Sequence, residues 1–131
     1  MSTNSIFRRL FSAVLLTLIL IGLTTAGVAS AHARLFRSNP EDGAVLAEAP
    51  REVYLWFNEP VVVEFVSVEL LDANAQSVGE AKLRSDASDP TLAIASMPTL
   101  QTGVYSLTWK VLSNTDNHVT RGTMVFGVGQ M

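Results

Sequence analysis

Short apolar runs of alternating character constrain this 131-residue chain more than any other feature of its sequence. In one run, Val53, Leu55 and Phe57 alternate with Tyr54 and Trp56, which is the pattern of a strand with one face against a core. The other runs are 33–37, 65–71, 78–83, 91–95, 104–112 and 123–128. After position 32, no window of ten or more residues has a convincing helical period.

Clusters rich in Gly, Pro, Asn and Asp separate these runs and predict turns. They are 39–43, 49–51, 72–74, 86–90 and 101–103. About seven strands in a domain of this size predict an all-β fold, an antiparallel β-sandwich of immunoglobulin-like or cupredoxin-like type. Because such a fold hosts many activities, the function has to be argued from specific residues.

Several large side chains in the strand patterns are expected to be structural. Trp109, Phe126 and Met124 lie at positions where a core or half-buried place is the default. Tyr105, near the start of the longest run, is typical of a tyrosine packed at a sheet corner.

Residues 1–31 have the composition of a cleavable secretory signal peptide. Arg8 and Arg9 precede an almost wholly apolar stretch, 10–29, and Ala29-Ser30-Ala31 supplies the small residues that a signal peptidase reads. A membrane anchor is the alternative, because about twenty apolar residues can span a bilayer. The small-residue ending favours cleavage.

Cleavage after residues 1–31 would make His32 the first residue of the mature chain. The triplet Ala31-His32-Ala33 also fits the peptidase, and cleavage there would begin the protein at Arg34. We expect the first cut, which leaves 32–131 as one domain. The protein is then expected in the periplasm or otherwise outside the cytoplasm.

The composition of the mature chain excludes several function classes. Both arginines of the signal leave with it while every acidic residue stays, so the mature charge is seven basic minus twelve acidic residues, or −5. An acidic domain without a basic cluster is a poor candidate for binding nucleic acid. The chain has no cysteine, which excludes blue-copper, zinc-finger and thiol chemistry.

The two histidines of the chain, His32 and His118, are candidate metal ligands. Asp116 precedes His118 by two positions, and in an extended segment such residues point the same way. Alone, this pair is better explained as a solvated loop pair or as an acid that orients an imidazole than as a metal site. A free α-amine on His32 would add a six-membered chelate ring through the amine and Nδ1. Three nitrogens and one oxygen suit Cu(II), with Zn(II) as the weaker alternative.

A series of short motifs runs through residues 32–131. They are His32-Ala33, Leu35, Ser38-Asn39-Pro40, Gly43, Leu46, Ala49-Pro50, Val53 to Glu59, Gly103 to Trp109, Ser113 to His118, Gly122 and Phe126. In order and spacing these motifs resemble the periplasmic copper-binding proteins of the CopC type. The resemblance implies a β-sandwich that binds one Cu(II) per chain through His32, Asp116 and His118. It also implies that Glu59, otherwise a surface acid at a strand end, orients a ligand or is itself a weak ligand.

The resemblance further implies sequestration, resistance or trafficking of copper by a protein that is not an enzyme. Some family members carry a Met-rich loop that binds Cu(I), but residues 72–90 contain neither Met nor His, so we expect binding of Cu(II) only. Met97 is expected to pack in a loop. The expected partners are the copper ion and a separate membrane copper transporter, and the protein is expected to be a monomer.

Two alternatives from other classes remain open. A histidine-brace copper oxidase would also use an N-terminal histidine and a second histidine, although the carboxylate of Asp116 would leave little room for oxygen chemistry. A metal-free interaction module would tolerate substitution of His32 or His118 without measurable effect.

Overall fold

The computed structural model describes residues 8–9, 32–113 and 117–129. The chain divides into two compact units, 1–30 and 31–131. Within the second unit, the described residues form nine strands and one short 3-10 helix. These are β1 (Leu35–Asn39), β2 (Ala44–Leu46), β3 (Glu52–Phe57), the 3-10 helix (Val63–Phe65), β4 (Val66–Leu71), β5 (Ser77–Glu80), β6 (Lys82–Ser85), β7 (Leu92–Ser96), β8 (Gly103–Leu112) and β9 (Val119–Val128).

The predicted signal peptide, 1–31, lies outside the described residues except for Arg8 and Arg9, which are helical. Its removal therefore stays a prediction. No helix in the described part of the chain is long and apolar enough to cross a membrane.

The strands form two sheets that pack as a β-sandwich. One sheet has the order β1-β3-β7-β6 and the other the order β2-β9-β8-β4-β5. Neighbouring strands are antiparallel, except that β2 pairs with β9 in parallel. The predicted all-β sandwich is confirmed.

The predicted number of strands was too low for two physical reasons. β2 has only three residues and forms its ladder with the far end of the chain, so it has no local pattern of its own. The weak run 78–83 is two strands, because the chain passes from one sheet to the other near Ala81. β5 pairs with β4, whereas β6 pairs with β7, and the Ala81 amide between them donates to the carbonyl oxygen of Val68 (3.1 Å).

The core lies between the two sheets and follows the alternation of the sequence. In β3, Val53, Leu55 and Phe57 are fully buried, as predicted. Trp109 of the facing sheet meets Phe57 edge-on, with ring centroids 5.5 Å apart at 79°. Each large side chain buried in this way contributes about 1.5–3 kcal/mol relative to exposure. Met124 is buried as well, so its predicted place in the core is confirmed.

The other predicted structural aromatic residues also lie where expected. Phe126 is fully buried, and Tyr105 is buried with its hydroxyl donating to the carbonyl oxygen of Gln101 (2.9 Å). A tyrosine that bonds back to the chain a few residues upstream is the arrangement of a tyrosine corner. It fixes the entry into β8.

The outer face of the four-stranded sheet carries the half-buried aromatic pair Tyr54 and Trp56, whose rings stack at 5.9 Å. The guanidinium of Arg37 lies 3.8 Å from the Trp56 ring centroid and covers it. The Tyr54 hydroxyl donates to Glu52 (2.9 Å), which also pairs with Arg84 (3.1 Å). The Tyr54 hydrogen bond and the Arg84 charge lower the pKa of the Glu52 carboxyl. This face is therefore covered by its own side chains.

Gly122 of β9 lies opposite Trp109 of β8 and makes room for the indole ring. A Cβ at Gly122 would lie 2.5 Å from Cζ2 of Trp109. We therefore expect Gly122→Ala to lower the free energy of unfolding by about 1–3 kcal/mol, because a well-packed core resists added volume. Urea denaturation of the variant and the wild type measures this difference.

Gly103→Ala is the matched control for this substitution. Its Cβ would meet only Tyr105, at 3.9 Å, so the free energy of unfolding should change by less than about 0.5 kcal/mol. Equal losses in the two variants would contradict the importance of the contact between Gly122 and Trp109.

Candidate metal site

Four chain segments meet where β1 and β9 begin and β3 and β8 end. β1 runs antiparallel to β3, so Leu35 lies opposite Phe57. β8 and β9 form a hairpin in which Leu112 and Val119 are the last partners. The contact between Phe57 and Trp109 joins the two sheets close to these ends. His32, His118 and Glu59 adjoin these strand ends.

The two histidines, distant in the sequence, lie side by side in the structure. The ring centroids of His32 and His118 are 4.5 Å apart, and the rings are tilted by 36°. His32 is half-buried with its Nδ1 shielded from solvent, whereas His118 is exposed at the start of β9. Neutral imidazole nitrogens are common metal ligands. The structure thus brings together two of the predicted donors.

The segment that carries His32 is held in place by backbone hydrogen bonds just after the histidine. Ala33 is fully buried, and its carbonyl oxygen accepts a hydrogen bond from the Thr120 hydroxyl. The next residue is held on both sides by Asn58. The Arg34 amide donates to Asn58 Oδ1 (2.5 Å), and the Asn58 amide donates to the Arg34 carbonyl oxygen (3.0 Å). His32 is therefore one residue away from an anchored backbone.

Glu59 follows directly on this anchor and is half-buried. Its Oε1 accepts a hydrogen bond from the hydroxyl of Ser113 (2.9 Å). Ser113 is 1% exposed, and its backbone amide donates to the carbonyl oxygen of His118 (2.9 Å). Among the described residues, Ser113 is the one buried side chain that is neither apolar nor aromatic.

Sequence reasoning did not identify Ser113 as a functional candidate. A serine after an apolar strand looks like any strand end, and the pairing with Glu59 joins residues far apart in the sequence. The one signal that the sequence offers is the position of Ser113 between the long run 104–112 and the Asp-x-His segment.

Asp116, the third predicted ligand, lies outside the described residues. Asn117 has φ of 55°, in the left-handed region that asparagine tolerates better than most residues. The extended geometry assumed for the Asp-x-His segment was therefore wrong at Asn117, and β9 begins only at Val119. In the part of the chain that is described, no three His, Asp or Glu side chains lie close enough to hold a metal ion. The ligand set of His32, Asp116 and His118 stays a prediction.

Comparison with known proteins identifies the relatives of the chain. A family model described as CopC domain matches residues 35–129. Copper resistance protein C of Pseudomonas syringae pv. tomato is 29% identical over 118 residues, which cover 86% of this chain and 92% of that protein. Copper transport protein CutJ of Bacillus subtilis (strain 168) is 28% identical over 102 residues, or 76% of this chain and 18% of that protein.

A solved structure agrees with these relatives. The crystal structure of CopC from Methylosinus trichosporium OB3b is similar with a TM-score of 0.69 and 28% identity, covering 76% of this chain and 95% of that one. The matched family segment includes Glu59, Ser113 and His118 but begins three residues after His32. His32 is therefore linked to the site by its ring contact with His118 in this chain.

We expect Thr120→Val to loosen the segment that carries His32. The substitution keeps the shape of the side chain but removes the donor to the Ala33 carbonyl oxygen, which is costly to leave unsatisfied when buried. The free energy of unfolding should fall by about 1–2 kcal/mol, measured by urea denaturation.

Thr123→Val on the same strand is the control. Its exposed hydroxyl shares a hydrogen bond with the Thr108 hydroxyl, at 3.2 Å, so its loss should cost less than about 0.5 kcal/mol. If Thr123→Val were as destabilising as Thr120→Val, the anchoring role of Thr120 would be refuted.

Proposed function

Because the chain belongs to the CopC domain family, whose relatives here are copper resistance and copper transport proteins, we propose that it is an exported Cu(II)-binding protein. It binds one Cu(II) ion per chain and serves in sequestration, resistance or trafficking of copper. The ligands are the α-amine and imidazole of His32, the carboxylate of Asp116 and the imidazole of His118.

The observation that carries this proposal is the 4.5 Å separation of the His32 and His118 rings. Removal of residues 1–31 frees the His32 amine beside its own imidazole, so that the amine and Nδ1 form a chelate. His118 adds a third nitrogen and Asp116 an oxygen. A nitrogen-rich set of this kind suits Cu(II), which also binds most tightly of the divalent metals in the Irving–Williams order.

The remaining residues of the site hold these donors in place. Thr120 and Asn58 fix the backbone next to His32 through hydrogen bonds within the protein itself. A site held on strand ends in this way is preorganised, so less conformational freedom is lost on binding. The copper ion is cargo, and the proposed role is binding without turnover.

The proposed place and partner follow from the same arrangement. A chelate that needs a processed N-terminus works only after export, so the proposed location is the periplasm or otherwise outside the cytoplasm. The part of CutJ that resembles this chain makes up 18% of that copper transport protein. This similarity supports a role beside a separate membrane copper transporter. The proposed protein is itself a monomer.

The direct test is a native mass spectrum of the exported protein titrated with Cu(II). We expect a mass that begins at His32 and the uptake of one Cu(II) ion. A start at Arg34, or no copper uptake, would contradict the chelate.

Two variants separate the donors in that titration. A Gly-Ser extension before His32 converts the amine into an amide while keeping the imidazole, and His118→Ala removes the second imidazole. Each should weaken Cu(II) affinity by at least about 10-fold, because fewer nitrogens remain to hold the ion. Asn74→Ala, in the exposed turn between β4 and β5, is the control and should bind as the wild type does. Unchanged affinity in both site variants would contradict this ligand set, whereas no Cu(II) uptake by the wild type would favour a metal-free interaction module.

A further inference from the structure

The buried hydroxyl of Ser113 points to a role that neither the sequence motifs nor the similarity to known proteins assigns. We propose that Ser113 is a positioning residue of the copper site that acts through Glu59. This inference rests on the proposed function and concerns how tightly and in what geometry the site holds Cu(II).

The side chains of Ser113 and Glu59 are in direct contact. The Ser113 hydroxyl is almost fully buried and donates to Glu59 Oε1 at 2.9 Å. A buried hydroxyl needs a partner, and a hydrogen bond to a carboxylate is stronger than one between neutral groups. The side chain of Glu59 is therefore held in one orientation.

The backbone of Ser113 makes a second connection, to His118. The Ser113 amide donates to the His118 carbonyl oxygen and closes the loop 113–118 at the end of the hairpin. This loop contains Asp116, and His118 is its last residue. One buried residue thus links the carboxylate at the end of β3 to the loop that carries two of the proposed ligands.

The second oxygen of the Glu59 carboxylate connects this pair to the copper site. In the proposed site, Oε2 of Glu59 accepts an N–H from a copper ligand while the Ser113 hydroxyl holds Oε1. The Arg34–Asn58 hydrogen bonds place the His32 segment beside the residue that precedes Glu59. A carboxylate that accepts from a ligand N–H fixes the orientation of that ligand and raises its donor strength. Glu59 then orients a ligand, and Ser113 orients Glu59.

A purely structural role for Ser113 predicts a change in stability without a change in the copper site. If the hydrogen bond only ties the end of β3 to the hairpin, its loss lowers the stability of the metal-free protein but does not change the copper site. The two roles are separated by measuring the copper site and the fold independently.

The experiment compares Ser113→Ala, Glu59→Ala and the double variant of the exported protein with the wild type. Cu(II) affinity is measured by competition with a chelating dye, ligand geometry by electron paramagnetic resonance, and the fold by thermal unfolding without copper. Ser113→Ala should weaken Cu(II) affinity by about 10-fold and shift the copper hyperfine coupling. In the Glu59→Ala background the same substitution should change affinity by less than about 2-fold.

Two further variants keep the test decisive. Glu59→Gln retains an oxygen that can accept from Ser113 but removes the charge, so it should alter the copper spectrum even if Ser113→Ala folds poorly. Ser106→Ala, on the same strand and away from the site, should match the wild type in affinity and spectrum.

The outcomes distinguish this inference from the function on which it rests. A wild-type protein that takes up no Cu(II) would overturn both. Copper binding by the wild type with an unchanged spectrum in Ser113→Ala and Glu59→Gln would overturn only the role of Ser113. Additive losses of affinity in the double variant would also overturn it, because Ser113 would then not act through Glu59.

Discussion

The ten-residue pairing between β8 and β9 is the interaction on which the rest of the structure depends. Its register runs without interruption from Gly103 opposite Val128 to Leu112 opposite Val119. Because one face of this hairpin is buried, a slip of one residue would turn the core side chains out to solvent. The same register makes Ser113 and His118 the next partners, joined by a backbone hydrogen bond. Core packing therefore fixes the relative positions of Ser113 and His118 in the candidate site.

The contact between the two sheets also fixes the end of β3, which carries Asn58 and Glu59. Trp109 packs over Gly122 within the hairpin and meets Phe57 of β3 edge-on. Asn58 and Glu59 follow Phe57 directly, so their positions depend on how that ring is packed. Functional groups on strand ends next to a dense core are held more precisely than groups on long loops. The anchoring of the N-terminal segment by Thr120 and Asn58 continues the same arrangement.

In the proposed site, metal binding depends on maturation of the chain. The amine of His32 exists only after the preceding peptide bond is cut, whereas the anchors that hold its neighbours are present in the fold itself. Termini are otherwise among the least ordered parts of a domain. Here the hydrogen bonds of residues 33 and 34 hold the new N-terminus in place. In the proposed site, an exposed His118 beside a half-buried His32 would let another protein approach the copper ion.

The sequence by itself determined the fold class and identified the two histidines as candidate metal ligands. Alternation with a period of two places Val53, Leu55 and Phe57 on one face whatever their partners are, because side chains alternate along any strand. It could not reveal β2, the change of sheet near Ala81 or the left-handed Asn117, because these depend on distant partners and on loop geometry. Only the tertiary structure decided that His32 meets His118 and that Ser113 holds Glu59. Both contacts join residues far apart in the chain, and their distances are set by strand register and sheet packing, which local patterns do not encode.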